Sequence, residues 1–196
     1  MLKVAITGNI GSGKSTVCKI FESLDIPVFY ADTEAKKLYD LPEVKSRVQQ
    51  TFGAGLFDEN GRLIKPKLAG MVFENPEALA KLNAIIHPEL MEVYKKWLSG
   101  NRHKPYTLHE AAVIFENGLE NEFDFIINVS CPEAIRLERI KNRDKLPEKE
   151  IRKRMSRQWP DEEKNKRSQA VIINDGKHFL IPQVLDIHKQ ILEKIN

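Results

Sequence analysis

Hydrophobic positions change their spacing several times along this chain, and each change marks an expected element. Leu2 to Thr7 is a short, mostly apolar run leading into glycines, the pattern of a buried parallel strand. Val17, Ile20, Phe21 and Leu24 recur at helical spacing, so a helix is predicted to about Leu24. Ile26 to Tyr30 reads as a second strand, with Pro27 admissible only at its start. Asp32 stands immediately before a helical stretch, Thr33 to Tyr39, where it can act as N-cap. Gly53, Gly55, Asn60 and Gly61 punctuate a loop. Leu79, Leu82, Ile85, Ile86, Leu90, Val93 and Trp97 predict a long helix from Glu77 to Leu98, kinked at His87-Pro88. Further strands are predicted at Tyr106–Ile114, Phe123–Val129 and Ala170–Ile173, and helices at Pro132–Asn142, Glu148–Gln158 and Ile181–Ile195. Strands alternating with helices predict an α/β fold, a parallel sheet covered on both faces.

Composition narrows the class. The 196 residues suit one domain, or one domain carrying a small insert. With 41% hydrophobic and 30% charged residues the chain is neither disordered nor collagen-like. Its longest apolar runs, such as Ala111–Phe115, fall far short of the ~20 residues that cross a bilayer. Met1 to Ile6 run straight into a glycine loop, so no signal peptide is expected. Cys18 and Cys131 are too few for a disulfide framework and lack further ligands at metal spacing. A reduced, cytoplasmic, soluble protein is expected. The net charge of +3 conceals an asymmetry: residues 133–167 hold 13 Lys+Arg against 8 Asp+Glu. Such a block fits either an anionic partner or a solvated helical surface.

Gly8-Asn9-Ile10-Gly11-Ser12-Gly13-Lys14-Ser15, followed by Thr16, fits G-x-x-x-x-G-K-[ST] between a predicted strand and a predicted helix. Glycines let the backbone curl so that successive N–H groups face phosphate oxygens, and the helix N-terminus adds its dipole. Lys14 is expected to reach the β- and γ-phosphates of ATP and the Ser15 hydroxyl to ligate Mg²⁺. A GTPase is excluded. Asp58-Glu59-Asn60-Gly61 matches Asp-x-x-Gly only by letter, within a loop, and Asn165-Lys166-Arg167-Ser168 lacks the guanine-reading aspartate. A small-molecule kinase fits the size.

Such a kinase needs a carboxylate beside the acceptor hydroxyl. Asp32 follows the second strand, and the carboxyl ends of neighbouring parallel strands share a ligand crevice. Glu110, in the third predicted strand, is favoured over Glu116 for holding Mg²⁺. Arg136, Arg139 and Arg143 fall within about 60° of arc on a 3.6-residue helix. Guanidinium forks there suit a transferring phosphoryl group.

These residues resemble the dephospho-coenzyme A kinase family over essentially the whole chain. The resemblance is carried by Thr7 to Thr16, Ala31-Asp32, Phe73 through His87-Pro88 and Val113-Ile114-Phe115-Glu116. It continues through Arg139 to Arg143-Asp144, Arg157-Gln158, Lys164 and Asn174-Asp175-Gly176. It implies a three-layer P-loop fold with a five-stranded parallel sheet: a core near 1–40, 104–132 and 168–196, a helical CoA-binding insert near 41–103, and a lid near 133–167. It implies ATP-dependent phosphorylation of the ribose 3′-hydroxyl of dephospho-CoA, with Asp32, Lys14 and Arg139 catalytic. Gly11, Ser12, Gly13, Lys14, Ser15, Thr16, Arg143 and Asn174 would bind ATP, Asp32 and His87 the acceptor, and Ser15 and Glu110 Mg²⁺. Three positions depart from the family pattern: Asn9 where a second glycine is usual, Tyr30 before Ala31-Asp32, and His109-Glu110-Ala111-Ala112 in place of Asp-x-Pro. No nucleic-acid or membrane partner is expected, and a homo-oligomer stays open. Two alternatives remain: a kinase of nucleoside monophosphates or another small alcohol, and a nucleotide-gated nucleic-acid binder. The second lacks an aromatic RNA-binding pattern or zinc motif.

Overall fold

Five strands, β1 (Leu2–Thr7), β2 (Val28–Tyr30), β3 (Tyr106–Glu110), β4 (Phe125–Ser130) and β5 (Ala170–Ile173), pair in parallel in the order β2-β3-β1-β4-β5. The structure is a computed structural model that describes residues 1–73 and 75–195, with Phe73 described by its backbone alone. From β1 the chain moves to one side for β2 and β3 and to the other for β4 and β5. The order therefore reverses at β1, the place where an open α/β sheet leaves a crevice beyond its strand ends.

Side-chain alternation along β1 decides what covers each face. Val4 and Ile6 are buried with Val17 and Phe21 of α1 (Lys14–Ser23) and with Val184, Ile187 and Ile191 of α9 (Leu180–Glu193). On α9 those three stand at i, i+3 and i+7, one stripe of the helix. Burial of each such side chain contributes roughly 1.5–3 kcal/mol. On the opposite face Asn128 of β4 donates to Asp161 and Asn165 of α8 (Asp161–Arg167) at 3.3 and 2.7 Å. Helix, sheet and helix form the three expected layers.

The chain divides into two units, Met1–Tyr30 with Gly100–Asn196, and Ala31–Ser99. The first holds the sheet, α1, α6 (Glu133–Asp144), α7 (Glu148–Met155), α8 and α9. The second consists of α2 (Ala31–Leu38), α3 (Pro42–Phe52), α4 (Lys65–Phe73) and α5 (Pro76–Gly100) around a core that includes Val44, Val48, Leu82, Ile85 and Ile86. The family-like stretch beginning at Phe73 includes Glu74 and the Phe73 side chain, which lie outside the described residues.

Several boundaries differ from the sequence reading. The third strand stops at Glu110 rather than Ile114, because Ala112–Phe115 turn away while Ile114 and Phe115 remain buried in a loop. The first helix after β2 begins at Ala31, so Asp32 lies in its first turn rather than at its N-cap. Helix α5 runs unbroken through Pro88, and the Ala84 carbonyl that loses its donor there is on an exposed residue open to water. Helices α3 and α4 fall within the helical insert expected near 41–103 but were not marked out by their own periodicity, and α8 was not anticipated.

His109 of β3 lies between the rings of Phe29 and Phe123, at centroid distances of 5.3 and 5.1 Å. Burial pushes its pKa down from 6.5 to about 4, so folding favours the neutral imidazole. Its contribution is complete above pH 6.5 and is lost as pH falls towards 4. Urea unfolding is expected to show stability falling by about 2 kcal/mol from this group between pH 7.5 and 5. In His109→Leu that part of the slope should vanish.

Candidate active site

The turn between β1 and α1 is shaped by two close approaches. Gly13 caps α1 in the left-handed region, at φ 94°, and a Cβ there would strike the Asn174 amide nitrogen. Gly11, at φ 80°, packs under α6, where a Cβ would come within 2.9 Å of the Arg136 carbonyl oxygen. A side chain at either position would push the loop away from the elements that hold it.

Those elements reach the loop's carbonyls. Lys14 Nζ donates to the Gly8 carbonyl at 3.0 Å, Asn174 Nδ2 donates to Ser12 O at 2.7 Å, and Arg139 Nη1 lies 3.5 Å from Gly11 O. Arg139 also donates to Asn174 Oδ1 at 3.3 Å, so α6 and the end of β5 are joined above the loop. At the start of α1 the Thr16 N–H bonds to Gly13 O at 3.0 Å, while the N–H groups of Lys14 and Ser15 come before any carbonyl the helix can offer, the arrangement that makes a helix N-terminus an anion site. Glu110 ends β3 beside β1, and its carboxylate lies 3.8 Å from Lys14 Nζ, with both residues buried. Each charge offsets the other's desolvation. A buried carboxylate beside the loop is also a hard oxygen donor of the kind Mg²⁺ prefers.

The opposite limb of the loop is held from a part of the chain that sequence reasoning assigned no contact. Gln158 Oε1 accepts the Ile10 N–H at 2.7 Å, and Asn9 Nδ2 donates to Trp159 O at 3.2 Å. The backbone of Asn9 is not in the left-handed region, so this loop needs no second glycine. Beneath lies Lys164, completely buried, donating to Glu116 at 2.8 Å and to Ala112 O at 2.9 Å. Glu116 accepts the Trp159 N–H as well, at 2.9 Å. Burial pushes the Lys164 ammonium pKa down, and Glu116 opposes that shift.

The expected residues distribute unevenly. Gly11, Ser12, Gly13, Lys14, Glu110, Arg139 and Asn174 meet at one end of the sheet, with Ser15 and Thr16 exposed in the first turn of α1. Arg136 does not join Arg139: its Nε donates to the Cys131 carbonyl at 2.9 Å, and the residue is buried against the end of β4. Arg143 is exposed and makes two bonds to Asp144, at 2.7 and 3.0 Å. Asp32 is exposed in the first turn of α2, two residues past the end of β2, and His87 is exposed on α5. Among the described residues no three His, Cys, Asp or Glu side chains converge as a metal cluster, and no helix is long and apolar enough to cross a membrane.

Residues 2–179 match the family model for dephospho-CoA kinase. The chain belongs to the dephospho-CoA kinase family. It is 36% identical over 196 residues to the dephospho-CoA kinase of Bacteroides fragilis strain YCH46, covering 100% of this chain and 95% of that one. To the dephospho-CoA kinase of Chlorobaculum tepidum it is 38% identical over 199 residues, covering 97% and 95%. Among solved structures, TT1252 from Thermus thermophilus superposes with TM-score 0.86 at 31% identity, covering 100% of this chain and 98% of that one. The dephospho-CoA kinase from Campylobacter jejuni gives TM-score 0.69 at 25% identity over 98% of each chain. A shikimate kinase from Bacteroides thetaiotaomicron, TM-score 0.52 at 12% identity and 98% coverage of each, shares the fold alone. The chain is therefore a kinase built on the P-loop fold.

Removing one member of the Lys164–Glu116 pair strands the other charge in the interior. Lys164→Met should unfold about 3–5 kcal/mol more easily in chemical denaturation, and Lys164→Met with Glu116→Leu should recover most of that loss.

Proposed function

We propose that the chain transfers the γ-phosphoryl group of ATP to the ribose 3′-hydroxyl of dephospho-CoA, giving CoA and ADP as the last step of coenzyme A biosynthesis. The observation that carries this is the buried Lys14 ammonium, bonded to Gly8 O and facing Glu110 at the mouth of an intact phosphate loop. Family membership supplies the acceptor.

Transfer forms a bond from the acceptor oxygen to the γ-phosphorus and breaks the bond from that phosphorus to the β–γ bridging oxygen. The hydroxyl proton passes to a base. Asp32 is assigned that proton, since its exposed carboxylate follows directly on the carboxyl end of β2. Lys14 and the amides of the loop offset the charge on the β- and γ-phosphates, and Arg139 supports the transferring group. Ser15 and Glu110 are the side chains that would hold Mg²⁺, which when bound neutralises phosphate charge. Arg143 belongs to the proposed lid over ATP, and His87 of the helical unit to the acceptor's binding surface. Closure of the lid would exclude water and limit wasteful hydrolysis. Both cysteines are free and buried, in keeping with a reducing cytoplasm. No nucleic-acid or membrane partner enters the reaction, and homo-oligomerisation is left open.

Incubation with ATP and a panel of acceptors tests the assignment: dephospho-CoA alone should consume ATP stoichiometrically, and preference for a nucleoside monophosphate or another alcohol would overturn it. Asp32→Asn should lose at least about 10²-fold in turnover while ATP binding persists. Unchanged turnover would remove Asp32 from the mechanism. Arg139→Ala should lower kcat more than ATP affinity, whereas a change confined to KM would make it a ground-state contact.

A further inference from the structure

The phosphate loop has two limbs, and only one is explained by phosphate binding. Its second limb, Gly11 to Ser15, leads into the helix N-terminus. Its first limb, Asn9 and Ile10, is held from outside by the segment between α7 and α8. The Ile10 N–H is not left for a ligand, because Gln158 Oε1 accepts it at 2.7 Å. Gln158 Nε2 reaches Ala112 O, at 3.4 Å, in the loop after β3. Asn9 adds a second tie to the next residue, Trp159.

The segment offering these groups is itself pinned. The Trp159 ring lies nearly parallel to Phe115, at 6.0 Å and 11°, with the Arg167 guanidinium 4.8 Å from its centroid on the indole. The backbone N–H of Trp159 donates to Glu116, which the fully buried Lys164 holds in place. Lys164 shares the Ala112 carbonyl with Gln158. A rigid pedestal of Glu116, Lys164 and Trp159 thus ends in one carboxamide that donates to the sheet side and accepts from the phosphate loop. Glutamine is the side chain with both capacities at that length; glutamate accepts but does not donate, and methionine does neither.

We propose that Gln158 is a positioning residue for phosphoryl transfer: it fixes the first limb of the phosphate loop by claiming the Ile10 amide, so that the loop is shaped for the triphosphate before ATP arrives. This rests on the phosphate-loop reading above and deepens it. Gln158 lies three residues beyond the end of α7, within the stretch 133–167 expected to form the lid, so a movement of that stretch would reach the loop through this side chain. An unsatisfied, partly buried N–H is costly, and a loop that must be ordered at the moment of binding loses affinity.

Gln158→Met, nearly isosteric and without the amide, tests this. ATP Kd by calorimetry should rise about tenfold at unit stoichiometry. A merely structural role would lower the active fraction and leave Kd of the folded molecules alone. Hydrogen exchange should show the Ile10 amide protected in the nucleotide-free parent and released at least tenfold faster in Gln158→Met, with β1 amides unaffected. Gln158→Glu, which retains an acceptor, should keep that protection. An unchanged ATP Kd in Gln158→Met, or an Ile10 amide that exchanges freely in the parent protein, would overturn the proposal; the second measurement requires no folded variant. Neither readout involves acceptor turnover, so a failed acceptor assay and a failed role for Gln158 are separately visible.

Discussion

A loop that turns its N–H groups towards a ligand must turn its carbonyls away, and those carbonyls need donors of their own. The phosphate loop meets that demand with side chains from three places. Lys14 takes Gly8 O from within the motif, Asn174 takes Ser12 O from beyond β5, and Arg139 approaches Gly11 O from α6. The strand order puts β4 directly beside β1 and β5 beyond it, which is why α6 and Asn174 can reach the loop. Outward carbonyls therefore link the loop to the sheet order, the arginine helix and the last strand.

Charge follows the same economy. Two buried lysines each face a carboxylate, Lys14 with Glu110 and Lys164 with Glu116, and each also donates to a backbone carbonyl. Part of the basic block at 133–167 does something plainer. Arg152 pairs with Glu133 and Glu148, Arg143 with Asp144, and Lys166 with Glu163, all at the surface, where such pairs contribute little. Arg139 alone among the three expected guanidiniums approaches the phosphate loop, while Arg136 turns to the Cys131 carbonyl. The helical arc was real, but the carbonyl at the strand end claimed one of its members.

Elements whose apolar spacing is strong were legible: β1, β4, β5, α1, α5 and α9 lie where periodicity put them. Helix α8, Asp161 to Arg167, carries no apolar residue at all, and its inward position is filled by Lys164. No hydrophobic pattern can announce a helix that buries an ammonium. The opposite failure occurred at Ala111–Phe115, whose apolar run suggested a longer strand. Ala111, Ile114 and Phe115 are buried, but in a turn whose Ala112 carbonyl is needed by Lys164 and Gln158 and therefore cannot remain in a ladder.

Residues 8–16 determined by themselves that this chain holds a phosphate chain of a nucleotide, because a glycine turn, a lysine and a helix N-terminus act over a few successive residues. The alternation of strands and helices determined a parallel sheet for the same local reason. Only the tertiary structure decided which groups serve that loop. Ile10 and Gln158 are 148 positions apart, and Ser12 and Asn174 are 162 apart. Nothing in the spacing of such residues records that the sheet has brought a donor and an acceptor within 3 Å; strand order and packing make that choice.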